Sequence, residues 1–163
     1  VEEFFLKAAA ISGDRYVLGG AGWETKPAPP NVVRVGHVYT RDHNAFNAST
    51  RAVLNISRES MARYGYSPAT RVFEAAGAGA CIITDAWEGI GLFLEPGSEV
   101  LVAHSGEEVA QQAAALSDAR AREIGQRGRR RILAEHTYAH RAEQVERLLA
   151  AGRPKTGTAG GPA

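Results

Sequence analysis

Five short apolar runs recur before residue 103: 16–18 (YVL), 32–38 (VVRVGHV), 52–57 (AVLNIS), 80–84 (ACIIT) and 99–102 (EVLV). They are too short for buried helices and rich in Val, Ile and Leu, so they read as strands. Little polar alternation interrupts them, as expected of strands covered on both faces. Segments with helical character stand between them, and this order predicts an α/β fold: a Rossmann-like, doubly wound parallel sheet with helices on both faces. Ligands of such sheets bind beyond the carboxyl ends of the strands. Attention therefore falls on 19–23, 39–43, 58–67 and 85–90.

The helical expectations are 2–11, 41–48 with Thr40 as a cap, and a helix opened by Ser67-Pro68, with Ser67 as N-cap and Pro68 at the first helical position, ending at Gly77. Three more follow: 107–116, 118–135 capped by Ser117, and 138–151 with Thr137 as cap, giving a helical C-terminus. Residues 58–66 read as a polar loop and 26–30 (KPAPP) as a linker. The tail is rich in Gly, Ala, Thr and Pro, so 153–163 is expected to be disordered and 1–152 to form one domain.

Composition narrows the function classes. Apolar residues make up 44% and charged residues 23% of the 163, and the formal net charge is +1. This is the profile of a globular domain, with no global pull toward nucleic acid or anionic membranes. No apolar run approaches the roughly 20 residues of a membrane span. The one cysteine, Cys81, makes an internal disulfide impossible and, with no visible signal peptide, gives a cytoplasmic expectation. The basic run 127–131 (RGRRR) is flanked by Asp118, Glu123 and Glu135, as on a solvated helix face.

One region gathers groups suited to an anion. A helix start presents unpaired N–H groups and the positive end of a dipole. Arg58 and Arg71 stand on either side of the expected start at Ser67, and Thr70 lies in its first turn, which suits a diphosphate. Glu74 follows Arg71 by one turn, on a helix whose small residues Ala75, Ala76, Gly77, Ala78 and Gly79 suit close packing on the sheet. A carboxylate placed there is costly without hydrogen-bond donors, and a ribose diol supplies two; neighbouring backbone or an arginine is the alternative partner. The glycine-rich turn 19–22, including Gly22, lacks a complete dinucleotide fingerprint and is assigned to the cleft without NAD. His37 and His43 follow the second strand and lie near the same cleft.

The pattern Ser67-Pro68-x-x-Arg71-x-Phe73-Glu74-Ala75-x-Gly77-x-Gly79-x-x-Ile82-Ile83-Thr84-Asp85 resembles the C-terminal domain of GT-B glycosyltransferases, and is most similar to the spore-maturation-protein-like glycosyl transferases. The segments at Gly36-His37-Val38, Leu54-Asn55-Ile56 and 99–102 share this likeness. The resemblance implies a domain that binds a nucleotide diphosphate sugar, with UDP as the expected nucleotide, and with no metal or other cofactor. It implies that Glu74 holds the ribose hydroxyls, that the segment from Ser67 to Thr70 receives the diphosphate, and that Arg58 assists. It also implies an N-terminal acceptor domain, or a partner chain, beyond this sequence, without which hexosyl transfer is not expected. The chain opens at the domain's first helix, so the preceding strand is missing from this reading. Many retaining relatives carry a second acid eight positions before the ribose glutamate; Tyr66 stands there. The alternative reading is a non-catalytic nucleotide-binding or assembly module on the same fold, with a homo-oligomer possible in either case.

Overall fold

The computed structural model describes residues 1–151; the tail expected over 153–163 lies outside the described residues. A π-helical stretch, Glu2–Leu6, continues into α1, Lys7–Ile11, and ends at Ser12, whose extended backbone breaks the helix. β1 (Tyr16–Gly19) and β2 (Val32–Gly36) follow, then a 3-10 turn, Thr40–Asp42, leading into α2, His43–Ala48. Next come β3 (Val53–Asn55), α3 (Glu59–Tyr64), α4 (Thr70–Gly77), β4 (Ile82–Asp85) and β5 (Leu101–Ala103). Three helices close the described chain: α5 (Gly106–Ala115), α6 (Asp118–Glu135) and α7 (Tyr138–Ala151). The α/β order expected from the five apolar runs is the order observed.

All strand pairs are parallel, but the strands form two groups: β1 beside β2, and β3-β4-β5 with β4 in the middle. β4 is buried at all four positions, as a strand covered on both faces must be. The Glu2–Leu6 stretch, α1 and α5 cover one face, where Ala8, Ile83, Ala103, Val109 and Ala110 form a core. On the other face α4 and α6 enclose Val72, Ala76, Ile82, Leu94, Val100 and Ile132. Each large side chain fully buried in this layer contributes about 1.5–3 kcal/mol. Small residues set the spacing: a Cβ on Gly125 of α6 would run into the Gly79 carbonyl, and one on Gly106 would lie 2.6 Å from the Glu3 carbonyl oxygen.

Three local expectations need correction. The expected loop 58–66 contains α3, which has no buried residue and stops at Gly65, where φ is +72°. Without an apolar stripe it left no helical period to read. Ser67 is not the cap of α4. The residue before a proline is pushed toward extended backbone, and here Ala69 is extended as well, so the helix starts at Thr70 with Ala69 as N-cap and no side-chain capping bond. Thr40 likewise caps nothing through its side chain. By contrast, Ser117 accepts a hydrogen bond from the Arg120 N–H at 3.2 Å and fixes the start of α6 as expected.

Candidate functional site

The carboxyl ends of β3 and β4 are held by a buried polar network. Asp85 is only 7% exposed. Its two carboxylate oxygens each accept from the Ser57 N–H at 3.1 Å, and Oδ1 also accepts from the Ser57 and Thr84 hydroxyls. Thr84 in turn accepts from Asn55 Nδ2 at 3.0 Å and from Trp87 Nε1 at 3.3 Å. Asn55 Oδ1 is buried with no partner. The network fixes the backbone that leaves β3, so Arg58, the N-cap residue of α3, projects from a defined position. This role of Asp85 was not legible beforehand; its only signal was an acid ending an apolar strand.

Behind α3, the chain reaches α4 through Gly65. Its carbonyl accepts from the Gly89 N–H at 2.7 Å, and Tyr66 donates its hydroxyl to Glu88 at 2.6 Å. That bond to a carboxylate holds the Tyr66 phenol above its ordinary pKa range. Tyr66 thus braces the loop from the position where the resemblance would place an acid.

Thr70 and Arg71 form the exposed first turn of α4. The Val72 N–H is returned to the Ala69 carbonyl at 3.0 Å. Among the described residues neither Arg58 nor Arg71 forms an ion pair. Glu74 lies one turn beyond Arg71, and its side chain is 49% accessible, not buried as expected. Half-exposed, it needs no protein partner to offset desolvation, and its carboxylate is available to hydroxyl donors. His43 Nδ1, on α2, stands 4.0 Å from Glu74 Oε2, and the other ring nitrogen lies 3.1 Å from the Val38 carbonyl oxygen. α2 and α4 therefore bring a histidine and a carboxylate together at the strand ends.

The turn after β1 completes this end of the molecule. Gly20 and Gly22 have φ of +125° and +85°, a left-handed backbone suited to glycine. The Gly20 N–H donates to the Gly36 carbonyl at 2.7 Å, tying this turn to the end of β2 and to the exposed His37, which packs edge-on against Tyr39. A cavity of about 290 Å³ opens here, and its wall includes Gly19, Trp23, Phe46 and Arg71. Of the seven residues singled out in the sequence, only Arg71 lies on that wall. Thr70 and Glu74 flank it on the same helix, whereas Arg58, Ser67, Gly22 and His37 stand on the surrounding loops and line no part of it. Trp23 and Phe46 are wall residues the sequence reading assigned no role.

The Arg71 side chain in the exposed first turn of α4, with a half-exposed carboxylate one turn on, can hold an anionic group together with a hydroxyl-bearing one. Among the described residues, no three His, Cys, Asp or Glu side chains gather as metal ligands. No helix there is long and apolar enough to cross a membrane.

The model of the glycosyl transferase-like family matches residues 2–147. This chain belongs to that family. Its fold is similar to AviGT4, a glycosyltransferase involved in avilamycin A biosynthesis (TM-score 0.61, 24% identity, 91% of this chain and 47% of that one). It is also similar to sucrose-phosphate synthase from Thermosynechococcus elongatus (TM-score 0.57, 21% identity, 76% of this chain and 31% of that one). At these identities the likeness is one of fold. The glycosyl transferase-like chain thus spans less than half the length of either protein. No curated protein matches it in sequence.

Proposed function

We propose that this glycosyl transferase-like domain is the donor-binding, C-terminal half of a GT-B enzyme, akin to the spore-maturation-protein-like group. It binds a nucleotide diphosphate sugar, with UDP as the nucleotide, at the start of α4. The observation that carries this reading is the pairing of Arg71 and Glu74 one helical turn apart, beyond the carboxyl ends of parallel strands. The first-turn N–H groups at Thr70 and Arg71, with the guanidinium groups of Arg71 and Arg58, take the diphosphate; Glu74 accepts from the ribose hydroxyls. Ser67, Gly22 and His37 shape the approach from the loops. Charge on the leaving diphosphate is offset by arginine and N–H groups, so the donor site works without a metal. Hexosyl transfer itself needs the N-terminal acceptor domain, in the same protein or a partner chain.

Calorimetric titration of the folded chain with UDP and UDP-sugars tests this. Binding should weaken about tenfold or more in Glu74→Ala and Arg71→Ala, the loss of one charge-assisted contact each. No binding to the parent chain, with Glu74→Ala indistinguishable from it, would sink the proposal.

A second reading, an assembly module, has its own support. α7 has no buried residue, and Tyr138, Val145, Leu148 and Leu149 are exposed along it. Such a surface fits a partner domain, and a complex that blocks α7 but binds no nucleotide would favour this reading.

A further inference from the structure

A second polar group approaches Glu74 from the end of β2. Beyond Gly36 the chain turns through Thr40–Asp42, and α2 opens on His43. His43 Nε2 stands 3.1 Å from the Val38 carbonyl oxygen. A carbonyl only accepts, so Nε2 carries the hydrogen, and Nδ1 of the neutral ring is a bare acceptor. The partners of this bond are packed on the end of β1. A Cβ on Gly19 would lie 2.8 Å from the Val38 side chain and 3.2 Å from the ring of Phe46. Phe46 lies one helical turn from His43, so the two share a face of α2, and Phe46 lines the cavity beside Arg71. That face therefore looks onto the candidate site. Nδ1 lies 4.0 Å from Glu74 Oε2. Hydrogen bonds run from about 2.7 to 3.2 Å, so the two groups do not bond each other. Both side chains are part-exposed. Among the described residues, neither Nδ1 nor the Glu74 carboxylate receives a donor.

We propose that His43 is a second ribose-binding residue, with Nδ1 accepting from one hydroxyl of the nucleotide while Glu74 accepts from its neighbour. Resting on the donor-site reading, this role adds selectivity for ribose over deoxyribose. Two acceptors held side by side with no donor between them suit a ligand that brings two donors. The hydroxyls of a vicinal diol, each about 2.8 Å from its own acceptor, bridge the 4.0 Å gap. Neither acceptor has a hydrogen to give, so a sugar with one hydroxyl leaves one of them unpaired in the complex, which weakens binding. Glu74 by itself discriminates less, because a single carboxylate finds a partner in whichever hydroxyl remains. The bond to Val38 makes the second acceptor dependable: it fixes the tautomer, whereas an Nδ1–H aimed at Glu74 would offer the carboxylate a donor in place of the diol.

The test has two parts. Imidazole nitrogen spectra of the isotopically labelled full chain near neutral pH should show His43 with its hydrogen on Nε2 and a bare Nδ1. A hydrogen on Nδ1 overturns the proposal before any nucleotide is added. Calorimetry then compares UDP with its two monodeoxy analogues, each lacking one ribose hydroxyl, on the parent chain and on His43→Phe. The parent should bind UDP more tightly than either analogue; equal affinity for all three overturns the proposal without any variant. His43→Phe keeps a ring but has no acceptor. It should weaken UDP binding by about fivefold and leave one analogue within about twofold, because the hydroxyl that meets Nδ1 is already absent from that analogue. Equal weakening for UDP and both analogues means a ring that only packs, and overturns the proposal. In that event Glu74→Ala, if it still weakens UDP binding, leaves the donor-site reading standing. A parent chain that binds no UDP overturns both.

Discussion

Gly125→Ala is predicted to destabilise the domain by about 2 kcal/mol, although alanine is the better helix former. A Cβ at this position, well inside the 18-residue helix α6, falls within the van der Waals surface of the Gly79 carbonyl oxygen, 2.9 Å from the Gly79 carbonyl carbon and 3.0 Å from that of Ala80. All three obstacles are backbone, so no side-chain rotation relieves the clash and α6 must move off the sheet layer it covers. Overpacking of this kind costs up to about 3 kcal/mol. The intrinsic preference of a helix for Ala over Gly returns about 1 kcal/mol. The net loss of about 2 kcal/mol corresponds to a melting temperature lower by about 4–8 °C for a domain of this size. Gly77→Ala, at the end of α4 with open space around the added carbon, is the control and should gain about 0.5 kcal/mol. Urea titration with matched calorimetric scans measures both. A Gly125→Ala protein as stable as the parent would refute the claim that contact between α6 and the turn after α4 sets the layer spacing.

Asp85→Ala should cost about 2–3 kcal/mol in urea unfolding, because the Ser57 N–H and two hydroxyls lose their buried acceptor. Ser117→Ala should cost about 1 kcal/mol, whereas Ser67→Ala should stay within about 0.5 kcal/mol, since only the former serine caps a helix. Burial first, then the Arg141 guanidinium 2.6 Å from Nδ1, holds His136 below its ordinary value near 6.5. The unfolded chain therefore binds that proton more readily, so the contribution of neutral His136 is complete above pH of about 6.5 and declines as pH falls through that value. His136→Gln should flatten the melting temperature against pH between about 7 and 5.

Much of the fold was legible because local signals agreed. The small-residue run of α4 leads to a strand that opens on two isoleucines and is buried throughout, and Ser117 precedes a helix whose observed bounds, Asp118–Glu135, are the expected ones. What stayed hidden depends on distant partners. α3 carries no apolar stripe and buries no residue, so its six residues gave no period to read. The split of the strands into two groups is a pairing fact, and apolar runs specify strands without naming neighbours. At the site, Arg71 and Glu74 were legible as a helical pair, but the exposure of Glu74 and its approach to His43 arise from α2 packing on α4. Asp85 was hidden because its main partner, Ser57, lies 28 residues away, just beyond the end of β3. Trp23 was hidden because an aromatic residue after a glycine turn has no spacing rule.

The most direct measurement of the central claim is a set of backbone amide spectra recorded while UDP is added to the isotopically labelled chain. The account predicts saturable shifts confined to the start of α4, with the Thr70 and Arg71 amides moving most, and smaller shifts at Gly19 to Gly22 and at Arg58. Unperturbed spectra at millimolar nucleotide, or shifts centred on α7 or the 127–131 arginine run, would contradict it.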